Sequence, residues 1–374
     1  MSLAIHGPRP RQNQQRATCS HRVRVASAMV ASLWLLNACS SSSSSTRLAY
    51  VATGTGIFAY RVNRSSGSTV PIIGSPFLAT TSTTTATSPA SVAVHPSNHF
   101  LYVANQDQNT ISLFKIDLVS GALTEVLPRT PTGISPGPLL LNTSGNTLFV
   151  ADQRSNDVSS FSVSASGALS LVSRVFLASA PSGLASPASG NLLFVALPNL
   201  SAVDVFSVNS GSLSLVAGGP FLVSGGVASV AVDSQGKFLF APNPSRNTVS
   251  GFVIQPGGSL TGIPRSPFAA GTAPVAALVD PSGGFLYVSN SGDTTLSQYS
   301  IASSGSLTAL TATSPTVGTN PGFLTLDPGG KLVFVANVGS QSFTELSINS
   351  DGSLGTTSNS IQVGSVPRGL SFTQ

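Results

Sequence analysis

The chain has 374 residues, room for one large domain or two ordinary ones. Only 8% are charged, against about 25% in ordinary soluble domains, and 36 Gly with 25 Pro leave poor material for long helices, which excludes a helical bundle or coiled coil. The formal charge of +5 is a property of the leader: Arg9, Arg11, Arg16, Arg22 and Arg24 precede residue 39, and beyond them 12 basic residues balance 12 acidic ones. A neutral body has no general electrostatic pull on nucleic acid.

The first segment is basic and polar up to Arg24, and an apolar run of 12 follows from Val25 to Leu36. That length falls short of a membrane span and matches the core of a secretory signal. The run closes on Leu36-Asn37-Ala38-Cys39, followed by serines. The arrangement resembles a bacterial lipobox. The resemblance implies cleavage before Cys39, lipidation of its thiol, and an exported protein held in the cell envelope by that lipid. Residues 1–38 are thus read as signal peptide, 39–46 as a Ser-rich tether and 47–374 as the folded domain. Cys19 leaves with the signal, so the mature domain has neither a disulfide nor a cysteine metal site.

The domain repeats. Ala49-Tyr50-Val51 recurs as Leu101-Tyr102-Val103, Leu148-Phe149-Val150, Leu193-Phe194-Val195, Leu239-Phe240-Ala241, Leu286-Tyr287-Val288 and Val333-Phe334-Val335, with steps of 52, 47, 45, 46, 47 and 47 residues. Such a period with strand-rich content marks a propeller, solenoid or array. Within a repeat the aromatic strand leads through a short loop to a strand of alternating pattern, such as Ile111 to Ile116 or Val158 to Val163. A Gly-x-Leu turn follows (Gly121, Gly167, Gly211, Gly258, Gly305, Gly352), then a third strand and a loop rich in Pro, Gly and Ser. A short apolar strand and a turn such as Asp280-Pro281-Ser282-Gly283 return the chain to the next aromatic strand. Four antiparallel strands repeated seven times predict an all-β, seven-bladed β-propeller. The domain begins at an aromatic strand and ends at Arg368 to Phe372, which matches a fourth, innermost strand. The two termini are therefore expected to complete one blade and close the ring.

Strand order places the Asp-Pro turns and the Gly-x-Leu turns on one face, where they are short and uniform. The loops after the aromatic strands and the connections between blades share the other face, and they vary, as binding loops on rigid scaffolds do. Thr80 to Ser88 is a long, low-complexity connection on that face. Asn105, Asp152, Asn243, Asn290 and Asn337 end the aromatic strands and read as turn residues accepting backbone hydrogen bonds. His95 occupies the turn slot that Asp233, Asp280 and Asp327 fill elsewhere; with His99 it makes up the histidines of the mature domain, with no nucleophile elbow and no metal-ligand spacing beside them. Glu125 and Glu345 fall on strands away from the axis. The candidate ligand-binding residues are Arg368, Arg129, Arg265, Arg154, Asp107 and Asp152. The arginines offer a planar fork of donors suited to carboxylate or phosphate. No residue earns a catalytic assignment, and neither a metal nor another cofactor is expected.

The aromatic strands of the type Leu101-Tyr102-Val103-Ala104-Asn105, and the junction Asp280-Pro281-Ser282-Gly283 into Phe285-Leu286-Tyr287-Val288, resemble the YVTN-type propellers and the bacterial lactonase propellers, which include 6-phosphogluconolactonase-like proteins. The resemblance covers essentially all of 48–374. It implies a hydrolase opening a sugar lactone with His, Arg and Glu near the axis, where inner strands often begin Pro-Arg-His. The matching positions here read Pro367-Arg368-Gly369, Pro321-Gly322-Phe323, Pro274-Val275-Ala276 and Pro138-Leu139-Leu140, so Arg occurs once and His not at all. Two functions follow. The residues themselves favour a monomeric, envelope-anchored binding or scaffold module that presents its loop face to a protein or glycan. The resemblance favours a lactonase.

Overall fold

The strands form where the alternation places them, and they assemble into blades. The computed structural model describes residues 46–64, 67–78 and 88–374, apart from the side chains of 356–359. The segment expected to be a signal peptide, Cys39, the serines after it and most of the 80–88 connection lie outside the described residues. Blade 1 combines the strands Thr46–Thr53, Gly56–Asn63 and Thr69–Pro71 with the C-terminal strand Pro367–Phe372. Blades 2 to 7 span residues 89–131, 136–176, 183–222, 231–269, 274–309 and 321–362 in turn. Each is an antiparallel sheet whose innermost strand precedes the aromatic strand. In blades 4 and 5 the outer strand is split into Ser212–Leu215 with Phe221–Leu222, and Leu260–Gly262 with Phe268–Ala269. Pro220 and Pro267, which have no N–H to give the ladder, fall in the breaks.

The aromatic strands are apolar except at their ends because both of their faces are covered. Alternation divides each one between two neighbours. Leu101 and Val103 pack towards blade 1 with Leu48 and Tyr50, whereas Tyr102 packs towards blade 3 with Leu148 and Val150. One apolar cluster of this kind fills each junction around the ring. Polar bonds tie the same junctions together. The phenol of Tyr50 donates to the Gly121 carbonyl at 3.0 Å, Tyr102 to Gly167 at 2.8 Å and Tyr287 to Gly352 at 2.8 Å. Each is a buried tyrosine reaching the Gly-x-Leu turn of the following blade. Gly352 must be glycine on two counts: its φ is 80°, and an added Cβ would come within 2.1 Å of the Phe285 ring.

The Asp turns are held by their own carboxylates. Asp280 accepts from the Phe285 N–H at 2.8 Å and the Ser282 N–H at 3.0 Å, and Asp327 accepts from Leu332 at 2.8 Å. Ring closure is as the phase of the repeat predicts. Ala49 pairs with Phe372, Tyr50 with Ser371 and Val51 with Leu370, antiparallel. Phe372 is 7% exposed, with its ring centroid 4.8 Å from that of Phe334 in blade 7.

Candidate functional site

Seven inner strands leave a channel along the axis of about 610 Å³. Apart from Arg368 its wall is uncharged, with aliphatic residues such as Val92, Leu139, Leu184, Val230, Leu324 and Leu370 alternating with polar ones. Ser91, Ser182, Ser229 and Thr325 add hydroxyls. Gln106 and Gln153 add carboxamides, and Arg368 is the single charged group among the described lining residues.

Arg368 stands at the start of the C-terminal strand, next to Pro367, at the loop-face end of the channel. One Nη donates to Ser88 Oγ at 2.7 Å and to Gln106 Oε1 at 3.4 Å. Gly54 makes room for it, since a Cβ there would lie 3.3 Å from the other Nη. The guanidinium is exposed, and the bonds to Ser88 and Gln106 use only one of its nitrogens, which leaves donors suited to a carboxylate, a carbonyl oxygen or an oxyanion. Gln106 and Gln153 occupy equivalent places, each immediately after the residue that ends its aromatic strand. The same slot holds Pro198, Pro244, Ser291 and Val338 in blades 4 to 7. Aligning the repeats on the strand end would have marked the two glutamines from the sequence; reading the loops only for charge passed over them.

The other candidates lie elsewhere. Arg129 is committed to the outer strand of blade 2, where Nε meets Glu125 Oε1 at 2.7 Å and a second nitrogen donates to Gln108. Arg265 is exposed in the turn between the two outer segments of blade 5, on the perimeter. Arg154 and Asp107 are exposed on the loop face and line a second cleft of about 260 Å³ with Gln106, Asn109, Ile134 and Ser135. Asp152 is fully buried.

The residues ending the aromatic strands bond differently from the turn reading given above. The Asn side chains pair with hydroxyls five and seven positions on. Asn105 meets Thr110 and Ser112, Asn290 meets Thr295 and Ser297, and Asn337 meets Ser342 and Thr344, at 2.8–3.2 Å. In blade 3 the two aligned positions are Asp152 and Asp157, both fully buried. Arg174 clamps Asp157 through Nε at 3.0 Å and Nη2 at 2.7 Å. Thr132 and Ser159 donate to Asp152 at 3.0 Å, and Gly133 closes over it, where a Cβ would come within 2.5 Å. Burial, together with the Asp157 carboxyl, pushes Asp152 up to about 7. A protonated Asp152 then does what the asparagines do elsewhere: it offers a donor to the group five residues on.

Glu345 is likewise fully buried, and burial with Asp327 nearby pushes it up to about 7. It faces blade 1, where Gly67 leaves it space, and not the channel. His95 is a turn residue, its ring nitrogens 2.8 Å from Ser97 Oγ and 3.0 Å from the Gly145 carbonyl. Among the described residues, no three His, Cys, Asp or Glu side chains gather closely enough to hold a metal.

A family model described as lactonase, seven-bladed β-propeller matches residues 46–186 and 262–368. A search of curated proteins found no match. Similar solved structures include two proteins described as "putative 6-phosphogluconolactonase". The one from Bacteroides fragilis is 22% identical at a TM-score of 0.76, covering 90% of this chain and 100% of that one. The one from Bacteroides uniformis is 18% identical at 0.75, covering 88% and 100%. The periplasmic gluconolactonase of Pseudomonas aeruginosa is 22% identical at 0.73, covering 88% and 99%. At such identities the structural likeness concerns the fold, and the family match carries the membership: this chain belongs to the seven-bladed β-propeller lactonase family.

Proposed function

We propose that the axial channel receives a sugar lactone or its aldonic acid, and that the reaction is hydrolytic opening of the lactone ring. The observation that carries this reading is Arg368, one guanidinium held over a neutral, hydroxyl-bearing channel by Ser88 and Gln106. Water adds to the lactone carbonyl carbon, the ring C–O bond breaks, and a proton from that water ends on the released alkoxide. As the carbonyl oxygen becomes an oxyanion, Arg368 is the group placed to stabilise it, a donor already oriented by Ser88 and Gln106. The aldonate product places its carboxylate on the same fork. Family membership supports the reaction class.

A second reading, a binding module without catalysis, is favoured by a specific observation. Among the described residues, the channel lining contains no His, Asp or Glu to serve as general acid or base. Hydrolysis of a panel of sugar lactones by the purified protein, followed in a pH-stat against the spontaneous rate, separates the two. Acceleration that is lost in Arg368→Ala supports the lactonase. Aldonate binding with no acceleration supports the binding module. We further propose, from the leader alone, that the protein is exported and anchored in the cell envelope by lipid at Cys39.

A further inference from the structure

The loop-face cleft between blades 2 and 3 has a wall that the junctions between blades 5 and 6 and between blades 6 and 7 lack. Its backbone is a repeated device. Ser135 has φ 61° and gives its N–H to Asn109 Oδ1 at 2.8 Å, while Gln153 and Arg154 donate to the carbonyls of Ser135 and Ile134, both at 3.0 Å. Between blades 5 and 6, Ala273 has φ 52° and gives its N–H to Asn247 Oδ1 at 2.9 Å, while Ser291 and Gly292 donate to Ala273 and Thr272 at 2.9 and 3.0 Å. Between blades 6 and 7, Val338 and Gly339 repeat the pair of bonds to Asn320 and Thr319. The junction is therefore made by backbone, with an asparagine cap in two of the three copies, and the residues aligned with Asp107 and Arg154 are Ser245 and Gly292 in one copy and Gly292 and Gly339 in the other.

Asp107 and Arg154 are additions to a turn that forms without them. They line one cleft of about 260 Å³, and no described residue pairs with either side chain. A carboxylate accepts from hydroxyls and a guanidinium donates to them, so the pair suits a neutral polyol, whose every hydroxyl does both. Asp107 also repels an anion that Arg154 alone would attract. The cleft adjoins the channel at Gln106, which lines both. Its Oε1 accepts from Arg368 at 3.4 Å and its Nε2 donates to Ser135 Oγ at 3.1 Å, so Arg368 and the cleft wall are two hydrogen bonds apart.

We propose that this cleft is a second sugar subsite, and that the ligand is a glycosyl-substituted lactone or aldonate: the acid unit against Arg368, a second sugar ring between Asp107 and Arg154. The proposal rests on the reading of the channel given above. Isothermal titration of the purified protein with gluconate and with its 4-O-glycosyl derivatives maltobionate, cellobionate and lactobionate tests it. At least one disaccharide acid should bind about tenfold more tightly than gluconate, as one or two charge-assisted hydrogen bonds provide. The double variant Asp107→Ser/Arg154→Gly copies the residues of the blade 5–6 junction and so keeps a turn this chain already folds. In it the ratio of disaccharide to gluconate affinity should collapse towards one. Arg368→Ala should weaken all the acids alike and leave the ratio standing, so the ratio reads the cleft and the absolute affinity reads the channel. Disaccharide acids that bind no better than gluconate, or a preference that survives the double variant, would overturn the subsite while leaving the channel reading intact. Failure of every acid to bind would overturn both.

Discussion

Replacing Asp152 by asparagine should make the protein more stable at neutral and alkaline pH. The folded state keeps the Asp152 proton up to about pH 7, whereas an unperturbed carboxyl gives it up near 3.8. Between those values the folded state holds one proton more than the unfolded chain. Stability must therefore fall as pH rises from about 4 to about 7, and the loss from this group is complete above 7. A carboxyl pushed this far up by burial beside Asp157 costs the folded state on the order of a few kcal/mol once it ionises. An amide at this position has no proton to lose, and it would donate to Asp157 much as Asn290 does to Thr295. Urea unfolding of both proteins, followed by circular dichroism at pH 4, 6 and 8, gives the test. Differences between the two curves isolate Asp152 from Glu345, which shifts in the same direction in both. The variant should match wild type near pH 4 and exceed it by a few kcal/mol at pH 8. Parallel pH profiles, or a variant less stable than wild type at pH 8, would refute the shared-proton account of the buried pair.

Four further outcomes are expected. Arg368→Ala should lower kcat/KM for lactone hydrolysis by about 100-fold, the usual effect of removing an oxyanion donor, with an unchanged melting temperature; a normal rate in the variant would remove Arg368 from the reaction. Tyr102→Phe should cost about 1 kcal/mol through the lost bond to Gly167, measured by urea unfolding, and no change would mean that the inter-blade phenol bonds are energetically idle. Deleting Val366 to Gln374 removes buried Phe372 and the inner strand of blade 1, so it should cause aggregation or a large fall in the thermal midpoint, and an unchanged midpoint would contradict closure by the two termini. Cys39→Ser should abolish lipid labelling and release the protein from membranes; a variant that still fractionates with membranes would contradict the lipid anchor.

The fold was legible because each strand has to serve two neighbours. Tyr102 and Val103 face opposite junctions, so the aromatic strand is apolar except at its ends and recurs once per blade. Closure was legible from phase, since Arg368 to Phe372 reads as an inner strand left over at the end. The chemistry was less legible. Arg129 and Arg368 look alike in sequence, but a carboxylate four residues away engages one, while the other meets partners far off in the chain, Ser88 and Gln106 at the neighbouring blade. Asp152 resembled a loop-face ligand because Thr132, Gly133 and Arg174, which cover it or its partner, come from the preceding connection and an outer strand. Gln106 and Gln153 carry no charge, and only their place after the strand end brings them to the channel.

In the proposed function, Arg368 holds the ligand at the loop-face end of the axial channel. A crystal structure of the protein grown with an aldonate tests it most directly. The carboxylate should lie within hydrogen-bond reach of the Arg368 guanidinium, beside Gln106, with the polyol chain over the inner strands. An aldonate bound instead at the face of the Asp280–Gly283 turn, or on the blade perimeter near Arg129 or Arg265, would contradict it.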